Sequence, residues 1–302
     1  MLATASPVSC FGAEHYSHAA KWITGETRMA QVKVALAGLG AVGLKVAEWL
    51  DSDDARTLGQ GLDLVAATAS SESSARTKLA GLTHQPSYLS PGDLAEAADV
   101  VVECLPPDLF RAVAEPTVKA GKVLMPLSVT QLLVNWDIVD LATETGARII
   151  VPTGALLGLD AVRAAAEGTL RSVTMRTRKP PAGLAKAPFV IEQGIDLSDL
   201  SEPLRLYQGS VRDAAQKFPA NVNVAVALSL AGAGPDETQY EIWADPGVTR
   251  NTHVIEVDAA EVSFEMSIAG VPTEENPATG KLTPLSTIAA LKALVQPLKI
   301  GS

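Results

Sequence analysis

Apolar residues fall in short unbroken runs through the first half of the chain and alternate with polar ones through much of the second. Residues 32–37 (VKVALA), 62–69 (LDLVAATA) and 100–104 (VVVEC) are mostly β-branched or small and apolar. Such runs predict strands buried on both faces, as in a parallel sheet. Runs at 123–127 and 148–151 predict two more, with a helix between them. After Pro152 the pattern changes. Residues 154–167 read as a loop leading into an Ala-rich helix, and residues 170–178 (LRSVTMRTR) alternate, as a half-buried strand does. Further strands are predicted at 204–207, 241–244, 253–257 and 262–268, the last two as a hairpin around Asp258-Ala259-Ala260-Glu261. An Ala- and Val-rich helix is expected over 220–231 and a final helix over 285–294. Alternating strands of this kind predict a largely antiparallel sheet with helices on one face. The expected fold class is therefore α/β. A parallel-sheet domain covers 31–152, a second α/β domain covers 153–272, and the helix of the segment 273–302 packs back on the first.

The link from the first strand to the helix after it carries chemistry. It reads GLGAVG over 38–43, a G-x-G-x-x-G between a strand and an amphipathic helix that reaches Leu50. Gly38 permits the tight turn, Gly40 lets backbone approach a pyrophosphate, and Gly43 lets the helix pack close to the strand. The phosphates then face the free N–H groups of the helix start, at Ala41, Val42 and Gly43. This is the fingerprint of a Rossmann-type dinucleotide-binding domain, so NAD or NADP is the expected cofactor. The tip of the second strand reads Ser70-Ser71-Glu72-Ser73-Ser74, then Arg76, with no acid immediately at the strand end. Small hydroxyls beside an Arg suit a 2′-phosphate, and Ser70, Ser71 and Arg76 are expected to accept NADP. In the competing reading Glu72 holds the ribose and Arg76 is a solvated helix charge. Leu105 and Pro106 follow the 100–104 strand, where residues of an open parallel sheet line the cofactor crevice. Cys104 reads as a small buried residue, with no histidine near it in sequence.

Bulk properties narrow the class. The 302 residues suffice for two domains, and 47% hydrophobic with 19% charged residues is a globular composition. A net charge of -10 speaks against a nucleic-acid partner. Cys10 and Cys104 form no C-x-x-C pair, so neither a disulfide framework nor a thiolate zinc site is expected, and a reducing cytoplasm fits. No apolar run nears the roughly 20 residues that cross a bilayer, so no membrane association is expected. Residues 1–30 lack periodicity and a secretory pattern; they read as a loosely ordered extension, with Met29 as an alternative start.

Among the four histidines, His15 and His18 lie in the extension and His84 in a polar loop. His253 shares a strand face with Ile255 and Val257. A histidine on an apolar face is ordinarily a satisfied core residue. Yet a dehydrogenase acting on an amine or alcohol needs a group that moves a proton near neutral pH, and His253 is the best placed. The chain has no G-x-S-x-G elbow, no complete phosphate loop at Gly280-Lys281, and no metal-ligand spacing, so no metal site is expected.

Several longer motifs stand in order along the chain: TGALLGLDA at 153–161, RTRKPP at 176–181, FPANVNVAVALSLAG at 218–232, ADPGVTRNTHVIEV at 244–257 and ENPATG at 275–280. Together with GLGAVG they resemble the L-aspartate dehydrogenase family, over nearly everything from Val32 to the end. The resemblance implies a Rossmann domain plus an α/β domain that supplies much of a homodimer interface. It implies oxidation of L-aspartate to iminoaspartate with NAD or NADP, the imine feeding NAD biosynthesis or hydrolysing to oxaloacetate and ammonia. The family's catalytic histidine falls on His253, and its cofactor contacts from the second domain fall on Ala155 and Asn223. The nicotinamide is expected near these and the Asn276-Pro277 turn. Helix capping is the competing role for Asn223. Cations must hold the two carboxylates. Arg176, Arg178 and Lys179 are candidates, and strand alternation keeps them from sharing one face; Arg176 and Lys179 are the substrate contacts expected, with solvated charge as the other reading. The family usually carries a glycine where Thr130 stands, beside the expected crevice. That departure leaves open a related dehydrogenase or imine reductase acting on another small amino or keto acid. A dinucleotide-binding protein without catalysis is a further alternative.

Overall fold

The structure, a computed structural model, describes residues 31–58, 61–274 and 279–301. Two sheets organise them. The first has six parallel strands: β1 (Val32–Ala37), β2 (Leu62–Thr68), β3 (Ser87–Tyr88), β4 (Val100–Glu103), β5 (Val123–Pro126) and β6 (Arg148–Ile149), in the order β3-β2-β1-β4-β5-β6. The chain reverses its direction of travel across this sheet between β1 and β4, and ligands of open α/β sheets bind at the carboxyl ends of strands at such a switch point. The apolar runs predict these strands because helices cover both faces. All four residues of β4 are buried, including Glu103.

The second sheet has five strands: β7 (Leu170–Lys179), β8 (Leu204–Ser210), β9 (Gln239–Ala244), β10 (Thr252–Ala259) and β11 (Ser263–Ala269), in the order β11-β10-β7-β9-β8. Only the β7–β9 pair is parallel. Alternation sorts β7 cleanly. Val173, Met175, Thr177 and Lys179 are buried, while Thr174, Arg176 and Arg178 between them are half-buried on the other face. On β10 the buried set is His253, Ile255, Val257 and Ala259. The antiparallel register sets His253 opposite Thr177, so both side chains enter the same core. The helices Leu159–Ala166 and Asn223–Ala231 pack on each other and close that face.

The C-terminal helix, Leu282–Val295, packs on the Ala41–Leu50 helix of the first sheet. Leu291 and Val295 join the cluster of Val46, Ala47 and Leu50, and the Lys292 ammonium lies 5.4 Å from the centre of the Trp49 ring. Some boundaries differ from the sequence expectation. β6 stops at Ile149 and the second-domain helix starts at Asn223. The helices Asp53–Thr57 and Leu94–Ala97 and the two-residue β3 carry too few residues for a period to register.

Candidate active site

A cleft of about 550 Å³ opens between the carboxyl ends of β1 and β4 on one side and the second sheet on the other, a size suited to a small-molecule site. Its first wall is the glycine loop, and the three glycines there do different work. Gly38 has φ of 110°, and a Cβ there would lie 2.5 Å from the Cys104 carbonyl oxygen. A Cβ on Gly43 would lie 1.9 Å from the Gly38 carbonyl oxygen. Both are glycines because the protein's own backbone leaves no room. Gly40 is different. Its backbone is extended (φ −84°, ψ −163°), and a Cβ would meet nothing within 4 Å. Nothing in the fold requires glycine at 40, while a pyrophosphate seated on the helix start does. The loop therefore fits a dinucleotide.

Gly40, Ala41, Val42 and Leu105 line the cleft, and Gly38 and Gly43 are outside the lining. Pro106 is exposed and outside the lining. Glu103 braces this wall. Its buried carboxylate accepts hydrogen bonds from Leu105 N (2.9 Å), Ser128 N (3.1 Å) and Ser128 Oγ (3.0 Å), tying together the loops that follow β4 and β5. Burial raises its carboxyl above the usual range, and those donors oppose the rise.

Ser70, Ser71 and Arg76 do not reach the cleft. Ser71 caps the Glu72–Leu79 helix, accepting from Ser74 N at 3.1 Å. Arg76 is bound to Glu72 at 2.6 Å on the exposed face of that helix. A 2′-phosphate there would have to take Arg76 from Glu72, a small cost for an exposed pair. Asn276 and Pro277 lie outside the described residues.

The second wall brings together residues from β7, β10 and the Asn223 helix. His253 is only 3% exposed, yet it lines the cleft. Its Nδ1 lies 2.9 Å from Thr177 Oγ1, and the Tyr240 hydroxyl donates to the same oxygen at 3.0 Å. Burial, reinforced by the charge of Lys179, pushes the imidazole down to about 4, so the ring is neutral at neutral pH. An unfolded histidine titrates near 6.5. The unfolded chain thus binds the extra proton first, and this group makes the fold less stable as pH falls from about 6.5 towards 4.

Lys179 is nine-tenths buried beside His253 and donates to Asn221 Oδ1 at 2.8 Å. Burial pushes its ammonium down to about 8. Arg176 requires a correction. Alternation places it on the opposite sheet face, where its Nε donates to Glu241 Oε2 at 3.0 Å, so it is no substrate contact. Arg178 is likewise turned away and paired with Asp245 at 2.8 Å. Sequence reasoning missed a cation that does line the cleft, Arg250, which has no carboxylate partner among the described residues. It also missed Asn221. The signal for Arg250 was its place three residues before His253 in the same motif.

Asn223 does not cap its own helix. Its Oδ1 instead accepts from Thr130 N at 2.9 Å and Thr130 Oγ1 at 2.5 Å, 93 residues away in sequence. Thr130 thus stands behind Asn223 and outside the cleft lining, and its hydroxyl fixes which way the carboxamide faces. With both donors on Oδ1, the Asn223 NH₂ group has no protein partner among the described residues and is left for a ligand. Ala155 lines the cleft beside Gly280.

A glycine-cradled dinucleotide site at a Rossmann switch point, faced by a buried histidine and lysine, defines an NAD(P)-dependent oxidoreductase. Comparison with known proteins makes the class particular. Residues 160–294 match the family model described as aspartate dehydrogenase, C-terminal, and residues 38–152 the model described as homoserine dehydrogenase, NAD binding domain. The chain is 51% identical over 282 residues to the L-aspartate dehydrogenase of Bradyrhizobium diazoefficiens, covering 93% of this chain and 98% of that protein. It is 46% identical over 272 residues to L-aspartate dehydrogenase 3 of Bordetella bronchiseptica, covering 90% and 98%. The crystal structure of aspartate dehydrogenase from Thermotoga maritima shares the fold, with a TM-score of 0.66 at 22% identity over 90% of this chain and all of that one. The chain belongs to the L-aspartate dehydrogenase family.

Proposed function

We propose that this chain oxidises L-aspartate to iminoaspartate, with NAD or NADP as oxidant, the imine hydrolysing to oxaloacetate and ammonia, and that it runs the reverse amination. The observation that carries the proposal is the convergence of His253, Lys179 and Asn223 on a cleft whose other wall is the glycine loop. When bound, the cofactor supplies the acceptor for the Cα hydride. The chain's own residues do the rest. Neutral His253 takes the proton from the substrate's ammonium, making the amine electron pair available for the C=N bond. Lys179 and Arg250 hold the two carboxylates, one buried and one at the rim. Asn223 and Ala155 position the cofactor from the second domain. Thr130 lies behind Asn223 and so does not reshape the substrate space.

The test is a panel of L-amino acids with NAD and with NADP. Aspartate is expected to be turned over fastest; a higher kcat/KM for a monocarboxylic amino acid would replace aspartate as substrate. The ratio of the two cofactors decides whether Arg76 leaves Glu72 for a 2′-phosphate.

The carboxylate assignment has its own consequences. Arg250→Gln is expected to raise KM for L-aspartate roughly 10- to 100-fold, the size of a lost charge-assisted hydrogen bond, with cofactor affinity kept. An unchanged KM would remove Arg250 from the site. Lys179 loses its positive charge as pH rises through about 8, so KM for aspartate should climb above that pH in the wild type. In Lys179→Met the KM is high throughout and the climb is absent. A climb of the same size in that variant would assign it to another group.

A further inference from the structure

Behind His253 lies a hydroxyl chain that no substrate contact explains. Thr177 and Tyr240 are fully buried, and His253 is nearly so. Tyr240 OH donates to Thr177 Oγ1 at 3.0 Å, and Thr177 Oγ1 lies 2.9 Å from His253 Nδ1. The three residues come from the adjacent strands β9, β7 and β10, and the pairing fixes their spacing: Thr177 opposes Ile242 on one side and His253 on the other. Apart from Lys179 at the end of β7, their neighbours on this face are apolar, among them Met175, Ile242 and Ile255. Burying two hydroxyls and an imidazole there is costly unless each finds a partner. Here each one does.

We propose that Thr177 and Tyr240 are positioning residues for the reaction: they engage Nδ1 of His253, hold the ring in one orientation, and leave Nε2 as its only nitrogen for the substrate. The proposal rests on His253 being the proton-moving group. A hydroxyl suits this task because it serves every state of the ring. Thr177 can donate to a bare Nδ1, or accept from Nδ1–H when Nε2 is free to take a proton. Once the substrate's ammonium proton has moved to Nε2, the ring is an imidazolium with both nitrogens protonated. Thr177 Oγ1 then accepts from Nδ1–H while Tyr240 donates to Thr177. The proton on Nε2 is afterwards released to solvent through the cleft, which restores the neutral ring. The nearby Lys179 charge and the burial of the ring oppose this cation, and Thr177 Oγ1 is the described acceptor within reach of its Nδ1–H. Among the described residues no carboxylate is hydrogen-bonded to the ring. One placed behind the ring would favour the imidazolium by its charge, whereas a hydroxyl bonds the neutral ring and the imidazolium alike.

The experiment is a set of full-length variants, Thr177→Val, Thr177→Ser and Tyr240→Phe, each made in the wild type and in the His253→Ala background. Steady-state kcat and KM for L-aspartate are measured for all. Thr177→Val keeps shape and removes the hydroxyl. It is expected to lower kcat about 10- to 100-fold, as for a hydrogen bond made to a charged group, with KM for aspartate and cofactor affinity unchanged. Thr177→Ser should restore most of kcat, and Tyr240→Phe should cost less than Thr177→Val. In the His253→Ala background Thr177→Val should cost nothing further. Equal losses from Thr177→Val in both backgrounds, or wild-type kcat in that variant, would overturn the proposal. Should Thr177→Val fail to fold, Tyr240→Phe decides in its place: a lowered kcat confined to the background that retains His253 supports the chain, and an unchanged kcat overturns it. His253→Ala with wild-type kcat would instead remove the assignment of His253 itself, an outcome distinct from failure of the Thr177 chain.

Discussion

Replacing His253 by Ala or Asn is expected to lower kcat for L-aspartate by roughly 10² to 10⁴, the range of a lost general acid–base group, while dinucleotide affinity stays at the wild-type value. The expectation rests on three features together. His253 is neutral at working pH because burial and Lys179 hold its imidazole near 4. It lines the cleft although almost wholly buried. Its Nδ1 is engaged by Thr177, so one nitrogen remains for substrate. The Asn variant is the sharper test, since its amide can still bond Thr177 but takes up no proton near neutral pH. A rate near wild type in both variants would mean that His253 is the satisfied core histidine that its apolar neighbours first suggest. Dinucleotide affinity, read by fluorescence titration, separates a chemical defect from a collapsed site.

The second large effect concerns two glycines three residues apart whose substitutions should fail in opposite ways. In Gly43→Ala the new methyl would press on the Gly38 carbonyl oxygen at 1.9 Å and on Cys104 Sγ at 3.0 Å. Two of the atoms it meets belong to backbone, so the helix must move off the strand. Overpacking of this kind costs about 1–3 kcal/mol, and the melting temperature should fall with it. In Gly40→Ala the methyl meets no protein atom within 4 Å, and the backbone there is one that alanine adopts freely. Its melting temperature without cofactor should match the wild type. Its dinucleotide affinity should fall on the order of tenfold or more, because the methyl occupies the space through which the pyrophosphate approaches the backbone. Equal melting temperatures for the two variants would contradict the division of roles. So would full dinucleotide affinity in Gly40→Ala.

The first domain was legible in the sequence because its rules are local. β1, the glycine loop and the helix that follows are consecutive, so spacing alone specifies Gly38, Gly40 and Gly43. The alternation of β7 and β10 likewise predicts which residues share a face with His253. It also carries the warning that Arg176, Arg178 and Lys179 could not all share one face, and Lys179 is the one of the three that lines the cleft. What the sequence left hidden depends on pairing between distant segments. Thr177 meets His253 across 76 residues and Thr130 meets Asn223 across 93, through registers that periodicity does not specify. Thr130 looked like a change beside the crevice, and only the tertiary contact places it as the partner of Asn223. Asn223 looked like a cap because helix starts favour such residues. Its side chain reaches the other domain instead. Ser70, Ser71 and Arg76 were expected to face a phosphate on composition, but the Glu72–Arg76 spacing of one helical turn makes a pair on the helix surface equally natural.

The Cα–H of L-aspartate is the expected hydride donor in this cleft. The most direct measurement uses L-aspartate carrying deuterium at Cα with the purified full-length protein and oxidised cofactor, and mass analysis of the reduced cofactor. Transfer of one deuterium per reduced cofactor, with oxaloacetate and ammonia formed in equal amounts, is the predicted result. Reduced cofactor without deuterium, or dinucleotide binding with no reduction by aspartate, would contradict it.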